Sequence, residues 1–149
     1  MIKFADYLNP SLIAFIEPAS RDEALSELVE IIYQNNKLLD KKFFLESIID
    51  REKIISTGIG MGVAIPHAKL SGYKDFFIAI GVLCKGLEWN ALDKTPVRLV
   101  FMIGGPDDKQ TEYLQILSSL THAIKDERVR KKMLTLNSPD DMIELFKVL

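Results

Sequence analysis

Cysteine and histidine are both scarce in this sequence. Cys84 is the only cysteine, and His67 and His122 are the only histidines among 149 residues. A single cysteine excludes an internal disulfide, and a zinc site needs several converging ligands at close spacing, which these three residues do not have. Cys84 lies in an apolar, strand-like run, so we expect a small buried hydrophobic residue without reactivity. No metal and no cofactor are expected.

The sequence also has no excess of one charge and no long apolar run. Its 19 basic and 21 acidic residues are interspersed and give a formal net charge of -2. It therefore lacks the basic footprint that binding to a phosphate backbone demands, and nucleic acid is not an expected partner. No run of about 18 apolar residues is available to span a bilayer, and residues 1–7 lack the apolar core of a signal peptide. We expect a cytoplasmic protein without direct membrane insertion.

What remains is an ordinary globular composition, with 48% hydrophobic and 27% charged residues. A chain of this length can bury about 70% of the surface that it exposes when unfolded, so it needs no disulfide or metal to stabilise it. The sequence contains no linker, low-complexity tract or internal repeat. We expect residues 1–149 to form one domain.

The N-terminal part of the chain predicts one strand and two helices. Residues 12–16 are apolar and long enough for a first strand. A capping-box spacing that begins at Ser20 predicts a helix over residues 21–35. Asp40 can cap a second amphipathic helix, whose last turn contains Arg51. A cation at that position interacts well with the exposed carbonyl groups, so compensation of the helix dipole is the simplest explanation of Arg51.

The C-terminal part predicts two central strands and two further helices. Residues 76–84 and 97–103 are rich in aromatic and β-branched residues and are apolar almost throughout. Strands of this kind are covered by helices on both faces, which indicates a layered α/β domain. A helix is predicted over residues 110–125, and Ser138 caps a last short helix that ends near Phe146.

The helix over 110–125 has apolar residues at spacings of three and four, which predict its buried face. The predicted stripe contains Tyr113, Leu114, Leu117, Leu120, Thr121 and Ile124. His122 lies roughly opposite this stripe, so we expect it to be a solvated surface residue.

The stretch 51–69 departs furthest from what folding alone requires. Three glycines at alternate positions, from Gly58 to Gly62, run into the apolar segment 63–65 and end at Pro66-His67. Glycines give up side-chain packing and cost backbone entropy, so the backbone here is expected to follow an unusual path with close approaches. His67 is thereby expected at the end of a buried strand, where rigid elements can hold a reactive group.

This stretch lacks the motifs of nucleotide-binding and hydrolase sites, and two explanations of His67 remain. The glycines follow a helix and precede a strand, and no Lys-Ser/Thr pair follows them, so neither nucleotide-binding fingerprint is present. No serine elbow or Cys/His arrangement indicates a hydrolase. His67 is either a structural histidine or a nucleophile for a phosphoryl group. Arg51, Ser56 and Thr57 lie close to it in sequence and would suit an anion.

The motif itself resembles a known family. Arg51-Glu-Lys-x4-Gly-Ile-Gly-x-Gly-Val-Ala-Ile-Pro-His67 is similar to the active-site segment of enzyme IIA domains of the fructose/mannitol type. These domains belong to the bacterial phosphoenolpyruvate-dependent sugar phosphotransferase system. The segment Ser56-Thr-Gly-Ile-Gly looks most like the fructose and nitrogen-regulatory branches. The resemblance extends over essentially the whole chain and implies a three-layer α/β/α domain with a mixed sheet flanked by helices on both faces.

The resemblance also implies roles for individual residues. His67 would receive a phosphoryl group from the phosphohistidine of the histidine-containing phosphocarrier protein and pass it to a cysteine of a IIB domain. Arg51 matches the family's active-site arginine and would stabilise charge. Ser56, Thr57 and Gly58 are candidates for phosphoryl binding through hydroxyl and amide donors. In this scheme the chain is a phosphotransferase component with a phosphohistidine intermediate.

Two departures from the family pattern bear on function. Many relatives carry a second histidine where this chain has Tyr113, whose hydroxyl is either a phosphoryl-binding donor or part of the core. Met61 stands where the most similar branches usually have asparagine, and an exposed methionine would suit an adaptable docking surface. A regulatory role, in which the phosphorylation state controls a target protein, is the alternative to sugar uptake.

Overall fold

The computed structural model describes residues 2–149. It contains two short 3-10 helices, six strands and five α-helices in the described part of the chain. The 3-10 helices are Phe4–Tyr7 and Pro10–Leu12. The strands are β1 (Ile13–Ile16), β2 (Gly58–Gly60), β3 (Val63–Ala64), β4 (His67–Leu70), β5 (Phe77–Leu87) and β6 (Val97–Pro106). The α-helices are α1 (Arg21–Gln34), α2 (Lys41–Ile54), α3 (Gln110–Ile124), α4 (Glu127–Thr135) and α5 (Pro139–Lys147).

Four of the helices begin and end close to where the sequence predicts. Their starts are explained by side chains that satisfy backbone amides left free in the first turn. The Ser20 hydroxyl accepts from the Glu23 amide at 3.2 Å, and Asp40 accepts from the Phe43 amide at 3.0 Å. Ser138 caps α5 in the same way. Helix α4 is the one that the sequence analysis missed, because it is only nine residues long and its apolar side is limited to Met133 and the partly buried Val129 and Leu134.

The six strands form one mixed sheet. The strand order is β1-β5-β6-β3-β2, and β4 also pairs with β6. Strands β5 and β6 are antiparallel, whereas β1 runs parallel to β5, and β3 and β4 run parallel to β6. The two long apolar runs are therefore adjacent central strands, as the sequence predicts.

Helices cover both faces of this sheet, because side chains alternate between two cores along each strand. On β6, Phe101 and Ile103 face the core that is shared with α3, α4 and α5. Val100 and Met102 face the other core, which is shared with α1 and α2. The predicted three-layer α/β/α fold with a mixed sheet is confirmed.

Strands β3 and β4 behave as one strand that is interrupted. Val63 lies opposite Leu99 and His67 lies opposite Ile103, so both segments keep the same register on β6. Pro66 has no amide proton to donate, which interrupts the ladder between them. His67 is thus the first residue of a strand, and the prediction that it ends one was wrong.

The connection from β2 to β3 is a tight turn in the left-handed region. Gly60, Met61 and Gly62 have φ values of 100°, 61° and 77°. The Met61 amide donates to the Asp93 carboxylate at 2.9 Å. A β-carbon on Gly58 would lie 2.8 Å from that of Ala91. The glycines thus serve this turn and its packing against the loop before β6, and the expected unusual backbone path is observed.

The environments of Cys84 and of one face of α3 differ from the predictions, whereas that of His122 agrees. Cys84 is exposed rather than buried, because the last four residues of β5 extend past the helices that cover the rest of the strand. In α3, Leu114 is 52% exposed and Thr121 is also exposed, whereas Ile116 is fully buried. Because apolar residues lie on two sides of α3, the sequence pattern did not show which side is buried. His122 is exposed, as predicted.

No helix formed by residues 2–149 has the length and apolar character needed to cross a bilayer.

The Met61 backbone generates a stability prediction. A non-glycine residue with a left-handed backbone costs about 1–2 kcal/mol, and asparagine tolerates that conformation better than methionine. We expect Met61→Asn to raise the free energy of unfolding by about 0.5–1 kcal/mol, measured by urea denaturation. Ile59→Asn, on the same exposed hairpin but without a left-handed backbone, should give no increase. A lower stability of Met61→Asn would mean that side-chain contacts of Met61 outweigh the strain.

Candidate functional site

His67 is half-buried at the start of β4, and one of its ring nitrogens has a backbone partner. Nδ1 lies 3.1 Å from the carbonyl oxygen of Ile65. A carbonyl oxygen only accepts hydrogen bonds, so Nδ1 must carry the ring proton when the imidazole is neutral. Nε2 then keeps its lone pair. The ring is held in the tautomer that leaves Nε2 as the nucleophilic nitrogen.

The Ile65 carbonyl is available to His67 because of the interruption at Pro66. The Ile65 amide donates to the Thr57 carbonyl at 3.0 Å, on the side away from β6. The Pro66 carbonyl accepts from the Ile103 amide at 2.9 Å, so Pro66 faces β6. In an extended chain the amide and carbonyl of one residue point to the same side, so the Ile65 carbonyl also points away from the ladder. His67 satisfies it.

The surroundings favour the neutral imidazole. Burial lowers the pKa of His67 below its usual value, and the charges of Arg51 and Lys69 act in the same direction. The hydrogen bond to Ile65 and the charge of Glu52 oppose this shift without cancelling it. Because protonation would remove the Nε2 lone pair, a lowered pKa keeps His67 competent as a nucleophile at neutral pH.

Arg51 lies in the last turn of α2, as the sequence predicts. Its Nη1 donates to the Ile55 carbonyl at 3.0 Å, which satisfies a backbone group at the helix end. Its charge adds to the lowering of the His67 pKa that burial causes, and it offsets part of the rise that burial gives the pKa of Tyr113. Arg51 therefore compensates the end of the helix and places a cation beside the imidazole, so the two explanations offered by the sequence are compatible.

Tyr113 packs directly beside His67. Its ring centroid is 5.8 Å from that of the imidazole and 6.1 Å from that of Phe76, with which it stacks. The residue is only 5% exposed, so it belongs to the core as well as to the site. Burial raises the pKa of Tyr113, and the hydroxyl therefore keeps its proton at neutral pH and can act as a donor.

Lys69 is a second cation at the site that the sequence analysis did not single out. Its Nζ lies 4.0 Å from the centroid of the Tyr113 ring and 2.5 Å from Oε1 of Gln110. A cation above an aromatic face is attracted by the ring, so this contact holds the ammonium group near His67. Residues two apart on a strand share a face, so the position of Lys69 two residues after His67 could have indicated from the sequence that it lies near the imidazole.

The three residues predicted to donate to a phosphoryl group already have partners within the chain. The Ser56 hydroxyl donates to the Trp89 carbonyl at 2.6 Å and accepts from the Gly58 amide at 3.1 Å. The Thr57 amide and hydroxyl donate to Glu52 at 2.8 and 2.5 Å. Phosphoryl binding by Ser56, Thr57 and Gly58 stays a prediction, and it would require these donors to exchange their present partners.

Among residues 2–149, no group of three or more His, Cys, Asp or Glu side chains is arranged to hold a metal ion. The site instead consists of an oriented imidazole, two cations and a tyrosine hydroxyl. Such a set can accept an anionic group on nitrogen and neutralise part of its charge.

The charges around His67 generate a prediction for its titration. Arg51→Met removes a cation that disfavours the imidazolium, so the pKa of His67 should rise. A titration of the imidazole nitrogens by NMR measures this directly. Lys53→Met is the matched control, because Lys53 is an exposed cation in the same helical turn and is not among the charges that shift the pKa of His67. A pKa unchanged in Arg51→Met would contradict the placement of the guanidinium.

Comparisons with known proteins identify the family of this chain. Residues 6–148 match the family described as phosphoenolpyruvate-dependent sugar phosphotransferase system, EIIA 2. A fructose-specific EIIABC component of Bacillus subtilis is 35% identical over 130 residues, which cover 87% of this chain but only 20% of that protein. A fructose-specific EIIA component of Haloferax volcanii is 32% identical over 81% of this chain and 79% of its own length.

Solved structures of similar fold match nearly the whole chain. The nitrogen regulatory protein IIA-Ntr of Neisseria meningitidis has a TM-score of 0.89 and 27% identity, over 95% of this chain and 97% of its own. The IIA-mannitol enzyme of Escherichia coli, solved in complex with phosphorylated IIB-mannitol, has a TM-score of 0.79 over 95% of this chain and 98% of its own. Its identity of 21% supports the fold alone. The match over residues 6–148 establishes that the chain belongs to the EIIA type 2 family of the phosphotransferase system.

Proposed function

We propose that this chain is a phosphoryl carrier that is phosphorylated on Nε2 of His67, with residues 1–149 acting as one domain. The observation that supports this most is the hydrogen bond between Nδ1 and the Ile65 carbonyl, because it leaves the Nε2 lone pair free on a ring that is held in orientation. Membership of the EIIA family makes a phosphotransferase component the expected class of protein.

The transfer needs no new base. The Nε2 lone pair attacks phosphorus, a bond from Nε2 to phosphorus forms, and the bond from phosphorus to the phosphocarrier's histidine nitrogen breaks. In the second step, a thiolate of a IIB domain attacks phosphorus and the bond to Nε2 breaks, which returns the neutral imidazole. The protein contributes positioning and charge neutralisation, which dominate catalysis of phosphoryl transfer.

The groups around His67 would share the charge of the phosphoryl oxygens. Arg51 and Lys69 are the cations, and their charges add to the lowering of the His67 pKa that burial causes. The Tyr113 hydroxyl, which stays protonated at neutral pH, would donate a hydrogen bond in place of the second histidine of many relatives. The partners proposed for this surface are the histidine-containing phosphocarrier protein and then a IIB domain.

A regulatory role is the second candidate, and the similarity to the nitrogen regulatory protein over nearly the whole chain favours it. The chemistry at His67 would be the same. The two roles differ in the fate of the phosphoryl group, since a regulator need not pass it to a IIB cysteine. Transfer of radiolabelled phosphoryl groups to purified IIB domains separates the two roles.

Phosphorylation of His67 is tested by incubating the protein with phosphoenolpyruvate, the first enzyme of the system and the phosphocarrier protein. We expect one acid-labile phosphoryl group per chain, detected by mass spectrometry and by phosphorus NMR. His67→Ala should lose it completely. His122→Ala is the matched control, because it removes the only other histidine, and it should be labelled like the wild type. Absence of labelling in the wild type would overturn the proposal.

The Tyr113 hydroxyl is tested by Tyr113→Phe, which keeps the ring and its packing. A hydrogen bond to a charged group contributes about 1.5–3 kcal/mol, so the single-turnover rate of phosphoryl acceptance should fall at least tenfold. Tyr33→Phe is the control, because Tyr33 is exposed and also lies beneath a lysine ammonium group. A rate unchanged in Tyr113→Phe would leave Tyr113 with a packing role only.

A further inference from the structure

Glu52 is a buried carboxylate that belongs to the sequence motif but has no role in the proposed transfer step. It is only 3% exposed, and the other polar residue buried within the described core is Thr57, which is its hydrogen-bond partner. Burying a carboxylate is costly unless hydrogen bonds and charge compensate it. Glu52 follows Arg51 directly in the sequence. Its costly burial is explained if the carboxylate holds neighbouring groups of the site in place.

The contacts of Glu52 converge on one short segment. Oε1 accepts from the Thr57 amide at 2.8 Å, and Oε2 accepts from the Thr57 hydroxyl at 2.5 Å. Both carboxylate oxygens are therefore used on one residue, which fixes its backbone and its side chain together. The indole Nε1 of Trp89 donates to the Thr57 hydroxyl at 3.3 Å, and Arg21 Nη1 lies 3.9 Å from Oε1.

From Thr57 the connection continues to the imidazole. The Thr57 carbonyl accepts from the Ile65 amide at 3.0 Å, and the Ile65 carbonyl accepts from Nδ1 of His67 at 3.1 Å. Each link fixes the orientation of the next peptide group. The far end of this chain of hydrogen bonds is the bond that selects the His67 tautomer.

We infer that Glu52 is a positioning residue for His67: by clamping Thr57, it holds the Ile65 peptide group where its carbonyl keeps the ring proton on Nδ1 and leaves Nε2 free. This inference rests on the proposed function for its catalytic meaning. Glu52 also follows Arg51 in the last turn of α2. The same clamp therefore ties the helix end that bears the cation to the strand that bears the nucleophile. Glu52 itself touches neither phosphorus nor the reacting nitrogen.

The charge of Glu52 is consistent with this arrangement. Burial lowers the pKa of His67, and the charge of Glu52 partly opposes that lowering, opposite in sign to the effect of Arg51. A negative charge near a phosphoryl site would repel the phosphoryl group if it were exposed. Both carboxylate oxygens of Glu52 accept hydrogen bonds from Thr57, and the Arg21 guanidinium lies close by, so these groups offset that repulsion.

The test uses Glu52→Gln, which keeps the size and one acceptor oxygen but replaces the second acceptor with a donor. NMR of the unphosphorylated imidazole nitrogens reports the tautomer without any phosphoryl transfer. We expect the ratio of the Nδ1-protonated to the Nε2-protonated form to fall at least threefold. We also expect the single-turnover rate of phosphoryl acceptance to fall about tenfold, with unchanged affinity for the phosphocarrier protein.

Matched variants separate positioning from general destabilisation. Glu46→Gln changes an exposed glutamate of the same helix and should leave both readouts unchanged. Thr57→Val removes the hydroxyl link and should shift the tautomer in the same direction as Glu52→Gln, whereas Thr57→Ser should restore wild-type behaviour. The Trp89 indole resonance, from the only tryptophan, should move in Thr57→Val but not in Glu46→Gln.

A folded Glu52→Gln protein with the wild-type tautomer ratio and rate would overturn the inference. If Glu52→Gln does not fold, the Thr57→Val and Thr57→Ser pair decides, and an unchanged tautomer in Thr57→Val overturns it equally. If no protein is phosphorylated, including the wild type, the proposed function fails. The tautomer measurements on the unphosphorylated proteins still decide the role of Glu52.

Discussion

The site depends on the interruption at Pro66 in an otherwise continuous strand. Strands β3 and β4 keep one register on β6, so the chain on either side of the proline is fixed by the central sheet. The missing amide of Pro66 and the outward-facing peptide of Ile65 leave one carbonyl that β6 does not use. His67 takes that carbonyl, and the choice of nucleophilic nitrogen follows from the backbone rather than from a neighbouring catalytic side chain.

The electrostatics around the imidazole follow from the same geometry. His67 and Lys69 lie on one face of β4, and α3 places Tyr113 against that face, so ring, cation and hydroxyl meet on one side of the sheet. Arg51 reaches the site from the end of α2. Partial burial and two cations lower the pKa of His67 and so favour the neutral imidazole. In the proposed function this neutral form would accept the phosphoryl group, and the cations would share its charge.

Transport and regulation would use this chemistry in the same way. The family shares the fold, and in both proposed roles a surface that meets another protein would decide which acceptor is used. Sequence analysis predicts a docking role for Met61, and in the structure this residue is 42% exposed at the tip of a turn with a left-handed backbone. Backbone strain that is retained at an exposed side chain is typical of functional surfaces. The turn is built on glycines and on Asp93, so it presents Met61 in a fixed position.

The sequence by itself determined the family, the layered fold and four of the helices, because these follow from local periodicity, capping residues and one specific motif. Tertiary structure decided the rest. It exposed Cys84 where β5 runs past its helices, rotated the buried face of α3 toward Ile116, and brought Lys69 beside Tyr113. In the folded chain the Ser56 hydroxyl donates to the Trp89 carbonyl and the Thr57 hydroxyl donates to the Glu52 carboxylate. The physical reason is that hydrogen-bond partners and helix faces are chosen by residues distant in sequence, which no local pattern records.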